Sequence, residues 1–295
     1  MPLMDVVVVS YNSRGHLRAC VDPLSRLEDV QVIVVDNASS DGSLNTIEDL
    51  PIVRIERASN GGFAKGCNEG WRVGSAPFVL FLNPDATINE SSLRRLVDVL
   101  EDDAGNGAVA PKIVHDDGSL AYSIRRFPRL RSTYARALFL HRILPHAVWT
   151  DEVVRNEKAY ARPGSTEWVS GACILVRRSA LEELGGWDER FFLYSEDIDL
   201  CRRLHDARRD IRFEPSAVAV HEGGASAPSA TTLPYLTSSR IRYAQKHHSR
   251  FYVVLARIGL GVEEGLRVVV SRGGVDARIA HLRSLALAAS LSRLA

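Results

Sequence analysis

The chain has 295 residues, 45% of them hydrophobic and 25% charged, which is the composition of an ordinary globular protein with a buried core. Residues 229–295 hold ten Lys or Arg and three Asp or Glu, so the first 228 residues carry a formal charge of −6 although the whole chain carries +1. This acidic first part argues against a nucleic-acid-binding protein, whose fold would carry a basic surface.

Segments typical of strands and helices alternate along the first third of the chain. The runs at 5–10 (DVVVVS) and 30–35 (VQVIVV) are β-branched and apolar, as in strands that helices cover on both faces. The other segments predicted here are, in chain order, a helix at 15–27, a strand at 52–55, a helix at 62–73, a strand at 78–82 and a helix at 91–100, which Asn89 or Ser91 caps. The alternation continues to about residue 114 and predicts an α/β fold with a doubly wound, mostly parallel sheet flanked by helices.

The second part of the chain is less regular, and residues 115–167 are rich in Arg, Pro and aromatic residues. Beyond them the sequence predicts, in order, a strand at 169–177, helices at 179–184 and 195–205, and strands at 211–213 and 217–220. The small-residue segment 223–234 is interpreted as a linker, and the Arg-rich chain after it as helical. We therefore expect an α/β domain over residues 1–228 and a basic helical region over 229–295.

The spacing of the cysteines and the N-terminal segment indicate in which cellular compartment the protein is expected. The four cysteines are widely spaced and form no C-x-x-C pair, which argues against a zinc cluster or a disulfide framework and favours a reducing compartment. The sequence shows no secretory signal, and no uncharged apolar stretch reaches the ~18 residues that a membrane span needs. We expect a cytoplasmic protein, or one bound peripherally to the cytoplasmic face of a membrane.

Polar residues follow three of the predicted strands at the point where each strand ends. They are Ser10, Tyr11 and Asn12 after the first strand, Asp36 and Asn37 after the second, and Asn83 and Asp85 after the fourth. Ligands of doubly wound sheets bind at the carboxyl ends of the strands. One such group would be explained as a turn or a helix cap, but three at one edge of a sheet predict a ligand site.

The motifs around these residues resemble those of the family 2 glycosyltransferases over roughly residues 5–225. The segments that carry the resemblance are VVVVSYN, VVDNASSDGS, NGGFAKGCN, FLNPDA, WVSGACILVRR, FFLYSEDIDLCRR and VHEGGAS. Within that family, the NPD-containing pattern is most similar to bacterial rhamnosyltransferases that use dTDP-rhamnose. Neither a Walker A sequence nor a G-x-G-x-x-G motif occurs, so nothing supports a P-loop or a Rossmann redox enzyme.

The resemblance implies a GT-A fold with a C-terminal helical appendage. Residues 1–114 would form the nucleotide-sugar-binding half, and residues 115–228 the acceptor and catalytic half. It also implies an inverting transfer of a sugar, first of all L-rhamnose, from a nucleotide diphosphate to a hydroxyl group. The acceptor would be a glycan or a polyprenyl-diphosphate-linked sugar of cell-envelope polysaccharide synthesis.

The predicted donor-binding residues are of three kinds: an aromatic ring for the base, polar groups for its edge or the ribose, and groups that face the diphosphate. They are Tyr11, Asn12, Asp36, Asn37, Asn60, Gly61, Lys65, Asn83 and Arg202. Asn60 and Gly61 precede a helix, whose N-terminus favours a phosphate. Four alternatives stay open: a half-buried strand-end aromatic at Tyr11, a plain turn at Asn60, a solvated lysine at Lys65 and an ordinary helix ion pair at Arg202.

Asp85 is the predicted metal ligand. The family usually holds its cation with Asp-x-Asp, and here Asn83 stands in place of the first acid. His221, in the matching position after the last strand, is the second predicted ligand, although a lone histidine is also common as a structural or surface residue. A diphosphate bridged by such a site suits Mg²⁺ or Mn²⁺ and stabilises the departing negative charge.

Glu196 and Asp197 are the predicted catalytic residues. In the family's ED motif the second acid removes the proton from the acceptor hydroxyl, which assigns that role to Asp197. The alternative is that Glu196, Asp197 and Asp199 only complement the dipole of the helix they begin. Arg203, like Arg202, would either brace these groups or form a helix ion pair.

The acceptor cleft is predicted from Trp168, Ser170 and Gly171, with a tryptophan buried in the core as the alternative for Trp168. A basic stretch precedes them in the irregular segment, at Arg125, Arg126, Arg129 and Arg131. These arginines would meet an acidic acceptor such as a lipid diphosphate, or lie on an ordinary exposed loop.

An α/β fold of this kind also occurs in proteins with two other functions. A sugar-phosphate nucleotidyltransferase would have a Gly-rich loop with Arg and Lys near its N-terminus, and residues 6–20 lack it. A non-catalytic sugar-nucleotide-binding protein of the same fold would have lost Asp85 or Asp197, and both are present. The basic helices after 229 would contact an anionic membrane surface, pack on the domain, or form a homodimer.

Overall fold

The computed structural model of the chain describes residues 2–145, 147–222, 230–270 and 274–290. Most of the predicted linker at 223–234, and the last five residues of the predicted helical tail, lie outside the described residues. The strands are β1 (Met4–Ser10), β2 (Val30–Asp36), β3 (Val53–Glu56), β4 (Phe78–Leu82), β5 (Ala86–Ile88), β6 (Asn106–Val114), β7 (Ile124–Arg125), β8 (Gly164–Ser165), β9 (Trp168–Val169), β10 (Cys173–Arg177) and β11 (Asp210–His221).

The helices alternate with the strands in the first half and follow one another after residue 232. They are α1 (Leu17–Ser25), α2 (Phe63–Val73), α3 (Glu90–Asp102), α4 (Leu130–Ala137), α5 (Leu140–Ile143), α6 (Arg178–Leu184), α7 (Glu196–Asp206), α8 (Leu233–His247), α9 (Arg250–Val270) and α10 (Gly274–Ala289), with short 3-10 helices at Leu44–Ile47 and Glu157–Tyr160. Of the two predicted caps of α3, Asn89 caps the helix by accepting a hydrogen bond from the Ser92 amide. No helix within the described ranges is both long and apolar enough to cross a membrane.

The main sheet has the strand order β3-β2-β1-β4-β10-β6-β11-β5, with β8 beside β11. Every residue of β1 and β4 is buried, because apolar side chains of helices cover both faces of the sheet. The predicted α/β sheet is thus confirmed, although it is mixed: β10 runs antiparallel to β4 and β6, between which it lies. This arrangement places the start of β10 beside the end of β4.

Two strand predictions need correction. The predicted strand at 169–177 is two strands in different sheets: β9 pairs with β7, and β10 joins the main sheet after a break at 170–172. The break occurs because the Gly171 amide donates to the Asp197 carboxylate instead of to a neighbouring strand. Conversely, the strands predicted at 211–213 and 217–220 are the single strand β11, whose register shifts between Glu214 and Val218.

The helices after residue 232 pack on the rest of the protein. Asp199 of α7 is fully buried, and it lies 2.8 Å from Arg203 Nε, 2.6 Å from Lys246 Nζ and 2.7 Å from His247 Nε2. Burial by itself would raise the pKa of Asp199, but the hydrogen bond with His247 and the charge of Arg203 lower that pKa below its ordinary value. Since Lys246 and His247 belong to α8, this cluster joins α8 to the helix that begins with Glu196.

Asp199→Ala is expected to lower the free energy of unfolding by about 3–5 kcal/mol, since it removes a fully buried carboxylate from three half-buried basic groups, of which only Lys246 keeps another carboxylate among the described residues, that of Asp188. Urea denaturation would measure the change. The matched control is Asp206→Ala on the same helix, whose partly exposed ion pair with Arg202 should contribute at most ~1 kcal/mol. Equal, small effects of both substitutions would show that the Asp199 cluster does not stabilise the fold.

Candidate active site

The carboxyl ends of β1, β2 and β4 lie side by side, as the sequence predicts. Ser10 at the end of β1 pairs with Asp36 at the end of β2, and Val8 pairs with Leu82, the last residue of β4. Tyr11, Asn37 and Asn83 each follow directly. The three groups of polar residues therefore meet at one edge of the sheet.

Asn83, Asp85 and His221 form one cluster at this edge. Asp85 Oδ1 lies 3.1 Å from His221 Nε2, and Asn83 Nδ2 lies 3.4 Å from the same nitrogen. His221 is brought here because β11 pairs antiparallel with β5, which puts His221 opposite Ala86, the residue after Asp85. The two predicted metal ligands are thus neighbours.

The electrostatics of Asp85 fit a cation ligand. Burial of its carboxyl group would raise the pKa, but the hydrogen bond and the charge of His221 hold the pKa of Asp85 below its ordinary value. Its other oxygen, Oδ2, is buried and has no hydrogen-bond partner among the described residues. Asp85 and His221 are two candidate protein ligands; the described part of the chain has no cluster of three or more His, Cys, Asp or Glu side chains suited to a metal. A cation held here would therefore take its remaining ligands from substrate or water.

Glu196 and Asp197 begin α7 after two residues in the left-handed region, Tyr194 with φ of +66° and Ser195 with φ of +64°. Such backbone conformations in non-glycine residues are uncommon and concentrate at functional sites. Asp197 Oδ2 accepts a hydrogen bond from the Gly171 amide at 3.1 Å, and Oδ1 accepts one from the Ile198 amide at 2.8 Å. Its carboxylate is therefore fixed in position, and it remains half-buried.

The two carboxyl groups differ in their surroundings. Burial and the neighbouring charge of Asp197 raise the pKa of Glu196 far above its ordinary value, and Glu196 Oε2 is buried with no hydrogen-bond partner among the described residues. Burial also raises the pKa of Asp197, but the Gly171 and Ile198 amides and the charge of Arg125 oppose this rise. These surroundings make Asp197 the more acidic carboxyl group of the pair and Glu196 the less acidic one.

The Asp197 carboxylate and the Asn83–His221 cluster are linked through the break before β10. The Asn83 amide donates a hydrogen bond to the Ala172 carbonyl at 2.9 Å, and Ala172 follows Gly171, which holds Asp197. This backbone connection brings the predicted base and the predicted metal ligands to one place. Ser170 and Gly171, both predicted for the acceptor cleft, directly precede Ala172 in this segment.

The loop at 60–62 lies against the segment that leads to α7. Gly62 has φ of +88°, and a Cβ there would collide with the Phe192 backbone, whose carbonyl accepts a hydrogen bond from the Phe63 amide. Asn37 is buried and holds the loop at two points, through the Gly61 amide at 3.2 Å and the Gly62 carbonyl at 3.0 Å. Asn60 accepts a hydrogen bond from the Gly62 amide. The loop that precedes α2 is therefore fixed close to the predicted catalytic helix.

The other predicted donor residues lie at the same edge or close to it. Tyr11 is 52% exposed, and Lys65 is exposed in the first turn of α2. Asn12 accepts a hydrogen bond from the Ser40 amide at 2.9 Å, and both carboxylate oxygens of Asp36 accept from Ser39. These contacts join the loop after β1 to the loop after β2.

Two predicted residues, Trp168 and Arg202, contact groups away from the edge of the sheet. Trp168 is 5% exposed, donates through its indole nitrogen to the Arg126 carbonyl, and has the Arg125 guanidinium over its ring at 5.3 Å from the centroid. Arg202 forms the helix ion pair with Asp206 that the sequence left open. Neither contact brings these residues to the Asp85 cluster.

Arg57 is a candidate that the sequence analysis missed. Its side chain is 9% exposed and lies 3.5 Å from Glu69, its Nη1 has no hydrogen-bond partner among the described residues, and a Cβ on Gly61 would collide with its guanidinium. A buried cation beneath the 60–62 loop suits an anionic ligand at that loop. The only signal in the sequence was its position directly after β3, since no motif includes it.

Comparisons with known proteins identify the family. A family model described as Glycosyl transferase family 2 matches residues 5–185. The chain is 32% identical over 263 residues to the N-acetylglucosaminyl-diphospho-decaprenol L-rhamnosyltransferase of Mycobacterium tuberculosis (strain ATCC 25618 / H37Rv), and the match covers 83% of this chain and 85% of that protein. It is 25% identical over 235 residues to the rhamnosyltransferase WbbL of Escherichia coli (strain K12), with 73% of this chain and 82% of that protein covered.

Among solved structures, the mannosyltransferase PcManGT from Pyrobaculum calidifontis in complex with GDP-Man and Mn²⁺ has a similar fold. The TM-score is 0.53 at 18% identity, and the alignment covers 97% of this chain and 70% of that one. At this identity the likeness shows a common fold and no more.

Proposed function

Because this chain belongs to glycosyl transferase family 2, and is therefore a glycosyltransferase, we propose that it transfers L-rhamnose from dTDP-rhamnose to a hydroxyl of a polyprenyl-diphosphate-linked sugar in cell-envelope polysaccharide synthesis. The name of the M. tuberculosis relative supports rhamnose as the sugar and N-acetylglucosamine as the acceptor sugar. The motif resemblance supports dTDP as the carrier. In the structure, the observation that carries the proposal is the Asp197 carboxylate, fixed by the Gly171 amide beside the Asn83–His221 cluster.

In the proposed reaction, Asp197 accepts the proton of the acceptor hydroxyl as the oxygen attacks the anomeric carbon. The new carbon–oxygen bond forms on the face opposite the leaving diphosphate, so the anomeric configuration inverts in one displacement. Two backbone amides hold the Asp197 carboxylate, which therefore needs little reorganisation when it receives the proton.

The diphosphate of the donor is proposed to lie between the 60–62 loop and Asp85. The N-terminus of α2 favours an anion at that loop, and Lys65 and the buried Arg57 add positive charge. Asp85 and His221 would hold Mn²⁺ or Mg²⁺, which would stabilise the negative charge of the leaving group. Tyr11, Asn12 and Asp36 lie where the nucleoside would extend along the edge of the sheet.

The two other functions are less well supported. The family match gives no support to a nucleotidyltransferase, and the chain keeps both acids that a non-catalytic binding protein would have lost, Asp85 and Asp197. A panel of sugar nucleotides with Mn²⁺ and N-acetylglucosaminyl diphosphate lipid tests the proposal. We expect dTDP release and a rhamnosylated product only when donor and acceptor are both present. Release of pyrophosphate from a nucleoside triphosphate, or binding without turnover for every donor, would contradict it.

The ionisation of Asp197 predicts how activity depends on pH. A base must be unprotonated, and burial raises the pKa of Asp197 above its ordinary value of 3.8. The specificity constant kcat/KM should therefore fall on acidification through a pKa above that of an ordinary aspartate, and it should be constant at higher pH until another group titrates.

Glu196→Gln separates the roles of the two acids in the same pH profile. Burial and the charge of Asp197 raise the pKa of Glu196 far above its ordinary value, which does not suit a base, so this substitution should retain the acidic limb and most of the activity. If Glu196→Gln removed the limb, or lowered turnover as much as Asp197→Asn does, the base would be Glu196.

Peripheral membrane contact through α9 is proposed as part of this function. Apolar side chains of α9 are exposed at spacings of three and four residues, and they are Phe251, Val254, Ile258, Val262 and Leu266. Exposed arginines accompany this stripe: Arg250 begins α9, and Arg278 and Arg283 are on the adjacent α10. An apolar stripe with basic neighbours is the pattern of a helix that lies on an anionic lipid surface.

Cosedimentation with phosphatidylglycerol vesicles tests this contact. The native protein should bind, salt should weaken the binding because charges are screened over ~10 Å at 0.1 M, and Phe251→Glu with Ile258→Glu should abolish it. Val73→Glu, at an exposed position on α2, is the control. A native protein that ignores the vesicles and sediments as a dimer, which the double variant disrupts, would assign the stripe to an interface between two copies.

A further inference from the structure

A basic cavity of about 350 Å³ lies beside the two-stranded sheet β7–β9. Four of its lining residues are cations, Arg125, Arg126, Lys158 and Arg162. None of the four forms an ion pair with a carboxylate among the residues that the structure describes.

The one acidic residue that lines the cavity is already neutralised. Glu167 lies 2.8 Å from Arg129 Nη2 and accepts a hydrogen bond from the Phe127 amide at 2.6 Å. Of the arginines in the basic stretch, Arg129 forms an ion pair with Glu167, while Arg125 and Arg126 line the cavity. Lys158 and Arg162 approach it from a part of the chain that no motif marked.

The cavity adjoins the predicted base. Arg125 pairs with Trp168 in the β7–β9 ladder, and three residues after Trp168 the Gly171 amide holds Asp197. About 10 Å of extended backbone covers that interval. Arg125 also interacts electrostatically with the Asp197 carboxylate, because its positive charge counteracts the rise that burial causes in the pKa of Asp197.

We infer that this cavity binds the diphosphate of the acceptor, with Arg126, Lys158 and Arg162 as the anchoring residues. A diphosphate esterified at both ends keeps one negative charge on each phosphate, and the four cations of the lining exceed that charge. A ligand anchored here would place its sugar toward Asp197, while the donor diphosphate occupies the separate site at Asp85. The inference rests on the proposed function and names the feature by which the same site selects a diphosphate-linked acceptor.

The kinetic test compares two acceptors of the same sugar, a farnesyl diphosphate conjugate and an uncharged alkyl glycoside. Loss of two charge-assisted contacts in Arg126→Ala with Arg162→Ala should raise KM for the diphosphate acceptor by ~10–100-fold or more and leave KM for the glycoside unchanged. Arg26→Ala with Arg94→Ala, two exposed arginines directly after α1 and on α3, is the matched control and should change neither value. Equal losses for both acceptors, or none, would overturn the inference.

A binding test decides the site independently of turnover. With EDTA present, calorimetry should detect farnesyl diphosphate binding to the native chain and to Asp85→Ala, and its loss in the Arg126→Ala, Arg162→Ala double variant. Loss in Asp85→Ala alone would assign the anion to the donor site, and equal affinity for a short-chain phosphatidylglycerol would assign the cavity to a lipid headgroup. If the native protein transferred sugar to neither acceptor, the proposed function would fail while this test still decided the anion site.

Discussion

Asp197→Asn is expected to lower turnover by ~10²–10⁴-fold, the usual contribution of a general base, with little change in donor binding. Asparagine has nearly the same shape, and its carbonyl oxygen can still accept from the Gly171 or the Ile198 amide, so the start of α7 should keep its conformation. Steady-state kinetics with the diphosphate-linked acceptor and a separate measurement of donor affinity would distinguish lost chemistry from lost binding.

Asp206→Asn is the matched control for this change. It removes a carboxylate from the same helix, nine residues further on, where the side chain is exposed and pairs with Arg202. Its turnover should equal that of the native protein. Native turnover in Asp197→Asn itself would refute the assignment of the base, and Glu196 would then be the acid to replace.

The family, the enzyme class and the α/β sheet were predictable from the sequence, and the comparisons and the structure confirm them. The strand at 78–82 was predicted with its observed bounds because a run of five apolar residues is typical of a strand covered on both faces. The cluster of Asn83, Asp85 and His221 was also predictable, since it depends on residues at strand ends. The roles assigned to all the predicted site residues stay predictions.

Other contacts between distant segments were not predictable. The break at Gly171 depends on a carboxylate 26 residues away, and local β-propensity gives no sign of it. A tryptophan can stack on a sugar, but the Trp168 ring is buried and its indole nitrogen donates to the Arg126 carbonyl, a contact that the sequence does not reveal. Arg57, Lys158 and Arg162 carry no motif, and only the folded chain brings them to a loop or a cavity.

Removal of divalent cations should abolish transfer, and Mn²⁺ or Mg²⁺ should restore it. The predicted site has one carboxylate and one histidine from the protein, fewer ligands than a site in which the protein supplies them all. The loss of either ligand should therefore weaken cation binding strongly.

Asp85→Ala and His221→Ala should therefore each raise the cation concentration for half-maximal activity by at least ~10-fold. Even the loss of a group that only positions a metal ligand lowers metal affinity by ~10-fold or more. Titration of EDTA-treated protein with MnCl₂ would measure this concentration for each variant. Asp29→Ala, at the exposed residue directly before β2 and so at the opposite edge of the sheet, is the control and should respond as the native protein does. Full activity in EDTA would refute both ligand assignments together. A shift for Asp85→Ala without one for His221→Ala would leave the carboxylate as the protein's only ligand, with His221 serving to hold Asp85 in place.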